Sequence, residues 1–264
     1  MSAQLVSLGA HRLNCQVDGP DGAPWLVLSN SLGATLSMWD DQIPALTGRY
    51  RVLRYDTRGH GASDTPEGPY SFTDLTCDVV GLLDAFGIEK AAFMGLSMGG
   101  MTGLGLAVDH ADRVDRVVCA DGRANAPEGF RKMWDERMAK VNAGGLEAIA
   151  DGTLQSWFTA PWRDANPDRA AEVRRMILSN DPQGYVNCCL ALKELDYLRR
   201  LDQAKVPVLF VGGEQDMGAA PEVMQDMADR TPGGIYRSIP DAAHVANINA
   251  PEAFLTAISD FLDL

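Results

Sequence analysis

Residues 91–103 read AAFMGLSMGGMTG. The apolar run at their start has the length and composition of a buried strand, and the small residues after Ser97 are compatible with a helix. This order predicts a strand, a very tight turn and a helix, with Ser97 at the apex of the turn. Such a strained turn leaves little room for side chains two residues to either side of the serine, which accounts for Gly95 and Gly99. The helix start also directs its backbone N–H groups towards anything bound at the serine oxygen, so the stretch predicts a nucleophilic serine.

Strand and helix patterns alternate on both sides of this stretch. Several of the strand candidates are continuous apolar runs, which are typical of strands buried on both faces. The predicted strands are 5–8, 13–17, 25–29, 50–55, 91–94, 116–120, 206–211 and 234–239. Ser71 and Asp74 form a capping-box pattern at the start of a helix that ends at Gly87, and a last helix is expected to run to the end of the chain. The alternation predicts an α/β architecture with a doubly wound, mostly parallel sheet.

The pattern changes between about 121 and 203, where only amphipathic helical stretches occur. Three of them carry apolar residues at helical spacing: the first has Phe130, Met133, Trp134, Met138 and Val141, the second Val173, Met176 and Ile177, and the third Cys188, Leu192 and Leu195. We expect most of these apolar faces to pack against one another. The segment 123–203 is therefore predicted to be a helical cap over the active site, inserted between two parts of one core, 1–122 and 204–264.

Composition excludes several classes of partner. The formal net charge is −13 at pH 7, which opposes binding to nucleic acid or to an anionic membrane. No apolar run approaches the roughly 20 residues of a membrane helix, and the N-terminus lacks the features of a secretory signal. Five cysteines without a C-x-x-C pair indicate a reducing compartment and thiols used as small core residues. The expected setting is the cytoplasm and the expected partner a small-molecule substrate; a homo-oligomer is compatible with the sequence.

A nucleophilic serine needs a base within hydrogen-bond reach, and the base needs a carboxylate to hold its tautomer. Of the four histidines, His244 alone lies in a loop directly after a sheet strand, at the edge where such sheets bind ligands. For the acid, Asp216 follows strand 206–211 through a Gly-Gly loop, and the order serine, acid, histidine is then satisfied. Asp121 is a rival because it follows strand 116–120 at the same edge. We favour Asp216, with Asp121 as a loop or helix cap.

Two backbone N–H groups are expected to form an oxyanion hole for the developing negative charge. One belongs to Met98, directly after the nucleophile. The other is assigned to Leu32, because its small neighbours Ser31 and Gly33 leave its amide free to face the site. No His, Cys and carboxylate cluster has the spacing of metal ligands, so no metal is expected.

The charged residues of the next loop, Asp56, Arg58 and His60, are interpreted as structural. A turn of this type usually ties its own loop together through hydrogen bonds between aspartate and arginine. We therefore assign none of the three a role in catalysis.

Taken with these motifs, the chain resembles the α/β-hydrolase-fold serine hydrolases over nearly its whole length. The matching segments are GLSMG (95–99), YDTRGHGASD (55–64), VGGEQD (211–216) and AAHVANINAPE (242–252). More narrowly, LSNSLGATLSMWD (28–40), with Asn30-Ser31 where many relatives have His-Gly, is similar to the 3-oxoadipate enol-lactonases. The resemblance implies hydrolysis of an enol-lactone from aromatic catabolism to 3-oxoadipate, without a metal or organic cofactor.

The implied lactone carries a carboxylate although the protein is strongly acidic, so a basic group is expected to face the pocket. The candidates are Arg123, just after strand 116–120, and Arg163, in a stretch rich in aromatic residues; Trp134 is a further candidate for substrate contact. Three alternatives remain open. A general carboxylesterase or perhydrolase and a C–C hydrolase of ring-cleavage products share the same core residues, and a ligand-binding receptor can use the same fold.

Overall fold

Residues 3–264 are described by a computed structural model, and they form one eight-stranded sheet with helices on both faces. The strands are β1 Gln4–Ser7, β2 Arg12–Asp18, β3 Trp25–Ser29, β4 Arg51–Tyr55, β5 Ala91–Leu96, β6 Val114–Ala120, β7 Val208–Gly213 and β8 Ile235–Ile239. Their order is β1-β2-β4-β3-β5-β6-β7-β8. The pairs β1–β2 and β2–β4 are antiparallel and all later pairs are parallel. The predicted mostly parallel sheet is confirmed, and strand bounds differ from the predictions by at most two residues.

Helices follow most strands. They are α1 Ile43–Leu46, α2 Phe72–Ala85, α3 Met98–Asp109, α4 Glu128–Gly144, α5 Glu147–Trp157, α6 Ala160–Ala165, α7 Pro167–Leu178, α8 Pro182–Lys193, α9 Pro221–Arg230, α10 Ala246–Asn249 and α11 Pro251–Ile258. The predicted capping box opens α2, because Ser71 N–H donates to Asp74 and Asp74 N–H donates to Ser71 Oγ. Among residues 3–264, no helix combines the length and the apolar character that a bilayer span requires.

The sheet separates two apolar cores. Alternate residues of a strand point to opposite faces, so Phe93 lies in the core with α2, α3 and α9, whereas Met94 lies in the core with α11. Both residues are fully buried. This two-sided burial is the physical reason why the strand sequences are continuous apolar runs.

The helical segment between β6 and β7 contains α4 to α8 and lies within the predicted cap, 123–203. The division into core and cap domains stays a prediction. The sequence patterns predicted α4, α7 and α8 but missed α5 and the short α6 as separate helices. Helix α5 packs on α4 and α7.

Two expectations need correction. The helix after His244 does not run to the end of the chain but is interrupted at Ala250, which has φ −144° and ψ 68°. The interruption arises because Pro251 has no N–H to donate and its ring excludes a helical residue before it. In addition, Cys77 is exposed, whereas the other four cysteines are buried; all five are free thiols.

Parallel strands bring the loops after β3, β5, β6, β7 and β8 to one edge of the sheet. These loops carry five of the residues singled out in the sequence, Leu32, Ser97, Asp121, Asp216 and His244. The fold therefore collects the predicted groups at the edge where open α/β sheets bind ligands.

Candidate active site

Ser97 lies between β5 and α3 with φ 55° and ψ −117°, a conformation that side-chain-bearing residues rarely adopt. The chain packs too closely here for larger neighbours. A Cβ added to Gly95 would lie 2.2 Å from the backbone of Gly99, and one added to Gly99 would lie 2.3 Å from the carbonyl oxygen of Ser29. The strained turn is anchored to the next strand by the Ser97 N–H, which donates to Ala120 O at 2.7 Å.

Three predicted residues meet at this turn. His244 Nε2 lies 2.9 Å from Ser97 Oγ, and His244 Nδ1 lies 2.8 Å from Asp216 Oδ2. The other carboxylate oxygen of Asp216 accepts a hydrogen bond from Gly218 N–H at 2.7 Å. An ionised carboxylate only accepts, so Nδ1 carries the proton and Nε2 is left to accept one from Ser97.

The pKa values of this buried pair are displaced in opposite directions. Burial alone would lower the pKa of His244, but the negative charge of Asp216 and the hydrogen bond to it raise the pKa above its ordinary value of 6.5. Burial alone would raise the pKa of Asp216, but the charge of His244 and several hydrogen bonds lower it. The arrangement therefore favours an ionised Asp216 beside an imidazole that takes up a proton readily.

Asp121 accepts hydrogen bonds from backbone amides and not from His244. It is fully buried, and its oxygens accept hydrogen bonds from Gly213 N–H at 2.8 Å and from Ala246 N–H at 3.3 Å. Burial and the neighbouring charge of Asp216 raise its pKa well above the ordinary range. Asp121 thus joins the loop after β6 to the end of β7 and to the helix beyond His244, while Asp216 is the acid in hydrogen-bond contact with His244.

Met98, predicted to supply one amide of the oxyanion hole, directly follows Ser97, and Leu32, predicted to supply the other, lines the same cavity as Ser97. Neither N–H has a hydrogen-bond acceptor among residues 3–264. The two segments that carry them are tied together, because Gly99 N–H donates to Asn30 O at 3.1 Å. Two amides without an acceptor, on segments joined next to the nucleophile, agree with the prediction of an oxyanion hole.

Neighbouring loops hold the Leu32 segment in place. The ring nitrogen Nε2 of His60 accepts a hydrogen bond from Gly33 N–H at 2.9 Å, and Asp56 accepts one from Leu36 N–H at 2.7 Å. The interpretation of these residues as structural agrees with these contacts, but the expected bond between Asp56 and Arg58 is wrong. Arg58 instead pairs with Asp78 of α2 at 2.7 Å. The loop that carries Asp56 is therefore tied to other elements as well as to itself, since Asp56 also accepts a hydrogen bond from Ala62 N–H at 3.0 Å.

A cavity of about 650 Å³ opens above Ser97 and His244, between the sheet edge and helices α4 and α5. Aromatic and apolar side chains line much of it: Phe130, Met133, Trp134, Trp157, Phe158 and Tyr185. The apolar residues of α4 therefore have two different surroundings. Val141 is buried in the core, whereas Phe130, Met133 and Trp134 line the cavity. Among residues 3–264, no group of three or more His, Cys, Asp or Glu could hold a metal ion.

Both predicted arginines line the cavity, and their hydrogen bonds go to backbone carbonyls. Arg123 donates to Asn125 O at 2.9 Å and to Gly218 O at 3.3 Å, and its guanidinium lies 4.4 Å from the ring centre of Phe130. Arg163 donates to Gln155 O at 3.2 Å and to Phe158 O. Each brings a positive charge to the cavity wall.

Sequence reasoning missed a third cavity arginine, Arg137 of α4. It donates to the hydroxyl oxygens of Tyr185 and Thr153, and its guanidinium lies 5.8 Å from the ring centre of Trp134. A signal was present, because Arg137 is three residues after Trp134 and so shares its helix face.

The fold and the site define an α/β hydrolase with a serine–histidine–aspartate arrangement. The α/β-hydrolase-fold family matches residues 24–251, and the chain belongs to this family.

Particular members of the family are similar over almost the entire chain. Two 3-oxoadipate enol-lactonases of Acinetobacter baylyi are each 36% identical to this chain. The match to one covers 93% of this chain and 91% of the relative, and the match to the other covers 99% of this chain and 97% of the relative. The crystal structure of the enol-lactonase from Burkholderia xenovorans LB400 is 40% identical, with a TM-score of 0.95 over 99% of this chain and 100% of that one. The expectation of an enzyme that hydrolyses ester or lactone bonds is confirmed.

Proposed function

We propose that Ser97, His244 and Asp216 act as a catalytic triad and that the amides of Leu32 and Met98 form its oxyanion hole. The observation that supports this most directly is the continuous relay from Asp216 to His244 to Ser97, with distances of 2.8 and 2.9 Å, at the wall of the cavity. The raised pKa of His244 and the lowered pKa of Asp216 fit the roles of base and orienting acid.

In the proposed reaction, Ser97 Oγ attacks the carbonyl carbon while His244 Nε2 takes the hydroxyl proton. The oxygen of the tetrahedral intermediate accepts hydrogen bonds from the two amides, and Asp216 stabilises the imidazolium. Collapse breaks the C–O bond of the ester, and His244 returns the proton to the leaving oxygen. Water then attacks the acyl-enzyme in the same way, which releases the acid and restores Ser97. This chemistry uses no metal or organic cofactor.

The substrate we propose is 3-oxoadipate enol-lactone. In a lactone the leaving oxygen stays attached to the acyl group, so the entire molecule remains bound to Ser97 until water releases it. The enol that leaves becomes a ketone, and the product of adding one water is 3-oxoadipate. The enol-lactonases at 36% and 40% identity support this substrate, as do the positive charges on the cavity wall, which suit its carboxylate. Trp134, Arg123 and Arg163 are the predicted substrate contacts.

A broader carboxylesterase is the second candidate. The cavity, at about 650 Å³, is in the range that holds drug-sized ligands rather than only a small lactone. Its wall also includes Met217, which is almost fully exposed and offers an apolar surface to a larger acyl or alcohol group.

A substrate panel tests these candidates. Purified enzyme is assayed on the enol-lactone, on neutral aryl esters and on ring-cleavage products, each beside a Ser97→Ala control. A kcat/KM that is highest on the enol-lactone supports the proposed substrate. Higher values on aryl esters would favour the carboxylesterase, and values highest on ring-cleavage products would favour C–C hydrolysis. Labelling of Ser97 by a fluorophosphonate without turnover of any of them would favour a receptor.

A further inference from the structure

Arg137 differs from the two predicted cavity arginines in how its guanidinium is held. Arg123 and Arg163 donate hydrogen bonds to backbone carbonyls, whereas both hydrogen-bond acceptors of Arg137 are side-chain hydroxyl oxygens. Tyr185, which accepts from Arg137 Nε at 2.5 Å, and Thr153 are both buried. The guanidinium is therefore held by neutral side chains, one of which, Tyr185, also lines the cavity.

Its positive charge has no acid partner in the protein. Among residues 3–264, no carboxylate lies within ion-pair distance of Arg137, and the same holds for Arg123 and Arg163, although eleven other arginines of this acidic chain have such a partner. Nη1 donates to no described residue. A partly buried guanidinium with a free N–H edge is a binding site for a planar anion.

A second donor without a partner lies beside it. The indole N–H of Trp134 is buried and has no hydrogen-bond partner among the described residues. Trp134 and Arg137 line the same cavity, and the guanidinium lies 5.8 Å from the indole ring. A buried donor without an acceptor is unfavourable unless a bound molecule supplies the acceptor.

Arg137 is also close enough to act on the reacting groups. Its charge lowers the pKa of His244, opposing the effects of Asp216 and Asp121, which both raise it. A ligand bound at Arg137 is thus held in the same cavity as Ser97 and His244.

We propose that Arg137 and the indole N–H of Trp134 form the carboxylate subsite of this cavity, and that Arg137, rather than Arg123 or Arg163, selects anionic substrates. The inference deepens the proposed function and rests on it. Tyr185 and Thr153 are positioning residues for the guanidinium, since both accept hydrogen bonds from Arg137.

The first test measures the preference for charge. The ratio of kcat/KM on the enol-lactone to kcat/KM on 4-nitrophenyl acetate is compared in Arg137→Met, Arg137→Lys, Arg123→Met and Arg163→Met. Loss of a charge-assisted contact should lower this ratio about ten- to a hundredfold in Arg137→Met. In Arg137→Lys the ratio should fall less, because lysine keeps the positive charge but lacks the planar pair of N–H donors of a guanidinium. Arg131→Met is the matched control, since Arg131 is exposed on the same helix and does not line the cavity.

The second test does not need the enol-lactone to be a substrate. Hexanedioate and its monomethyl ester are compared as inhibitors of 4-nitrophenyl acetate hydrolysis, with intact fold checked by fluorophosphonate labelling of Ser97. The preference for the dianion should fall in Arg137→Met and in Tyr185→Phe, which removes a hydroxyl that positions the guanidinium. The acid limb of 4-nitrophenyl acetate hydrolysis should also move to higher pH in Arg137→Met, because a positive charge that lowers the pKa of His244 is lost.

The outcomes separate the two proposals. If the enol-lactone is not hydrolysed but the inhibitor preference depends on Arg137, the proposed substrate is wrong and the subsite stands. If the preference survives Arg137→Met, or is lost instead in Arg123→Met or Arg163→Met, the subsite is wrong.

Discussion

At the scale of single residues, substitution of Ser97 is the most direct test of the proposed nucleophile. Its hydroxyl is the only group that Ser97→Ala removes, and the turn is held by backbone contacts, so the fold should be retained. Turnover of lactone and esters should fall about a thousandfold or more, since binding and the oxyanion hole leave only residual catalysis. Steady-state rates with circular dichroism as the fold control give the answer. Near-full activity would rule out the proposed nucleophile.

Substitution of the two aspartates at the sheet edge, Asp216 and Asp121, should affect activity to different extents. Asp216→Asn should lower kcat by about three to four orders of magnitude, because an amide can donate to His244 Nδ1 and favour the wrong tautomer. Asp121→Asn keeps an oxygen for Gly213 N–H and should lower kcat much less. Because Asp121 joins two loops, its main effect should be on stability, read from urea unfolding. The reverse order of kcat values would assign the acid to Asp121.

The pH dependence of the reaction should report His244. Only the neutral imidazole accepts the proton of Ser97, so activity rises as pH passes the pKa of His244. This pKa is raised from 6.5, so the midpoint of the acid limb of kcat/KM should lie above that value. Rates on a neutral ester between about pH 5 and 9 measure it directly. A midpoint below the ordinary histidine value would contradict the contact with Asp216.

At the scale of elements, the loop that carries Leu32 depends on its neighbours. Gly33 N–H donates to His60 Nε2, and burial lowers the pKa of His60, so its ring stays neutral and able to accept. His60→Leu leaves that N–H without an acceptor and frees the loop, whereas His60→Gln offers a carbonyl oxygen in its place.

We expect kcat to fall about ten- to a hundredfold in His60→Leu, on charged and neutral substrates alike, because an oxyanion donor is displaced. His60→Gln should lose less. Rates on both substrate types, with the free energy of unfolding measured in parallel, separate this effect from simple destabilisation. Equal kcat in His60→Leu and wild type would show that the Leu32 loop does not need this contact.

Elements with strong local signals could be predicted from the sequence, and others could not. The buried strands and the turn at Ser97 are set by local composition and crowding, so their positions follow from the local sequence. Helix α5 was missed because Gly152 and Thr153, two residues of low helix propensity, interrupt its apolar stripe. Arg137 was missed because only the fold brings this residue of α4 to the cavity.

At the scale of the whole molecule, the net charge is negative, whereas the charged side chains of the cavity include three positive ones. The chain has a net charge of −13, yet three arginines line the cavity. Composition predicts the sum of the charges, but only the fold brings Arg123, Arg137 and Arg163 to one cavity, because they come from the loop after β6, from α4 and from α6. An anionic substrate is thus repelled at a distance and attracted at contact.

This opposition predicts how salt affects the enzyme. Exposed charges are screened beyond about 10 Å at 0.1 M ionic strength, whereas contacts inside a cavity are screened much less. Raising ionic strength from about 10 to 150 mM should therefore increase kcat/KM on the anionic enol-lactone about two- to fivefold, by weakening the long-range repulsion. The value on neutral 4-nitrophenyl acetate should stay constant. The increase should persist in Arg137→Met, because that change leaves the distant charges in place. A kcat/KM that falls with salt would mean that the cavity arginines already dominate the field that an approaching anion meets.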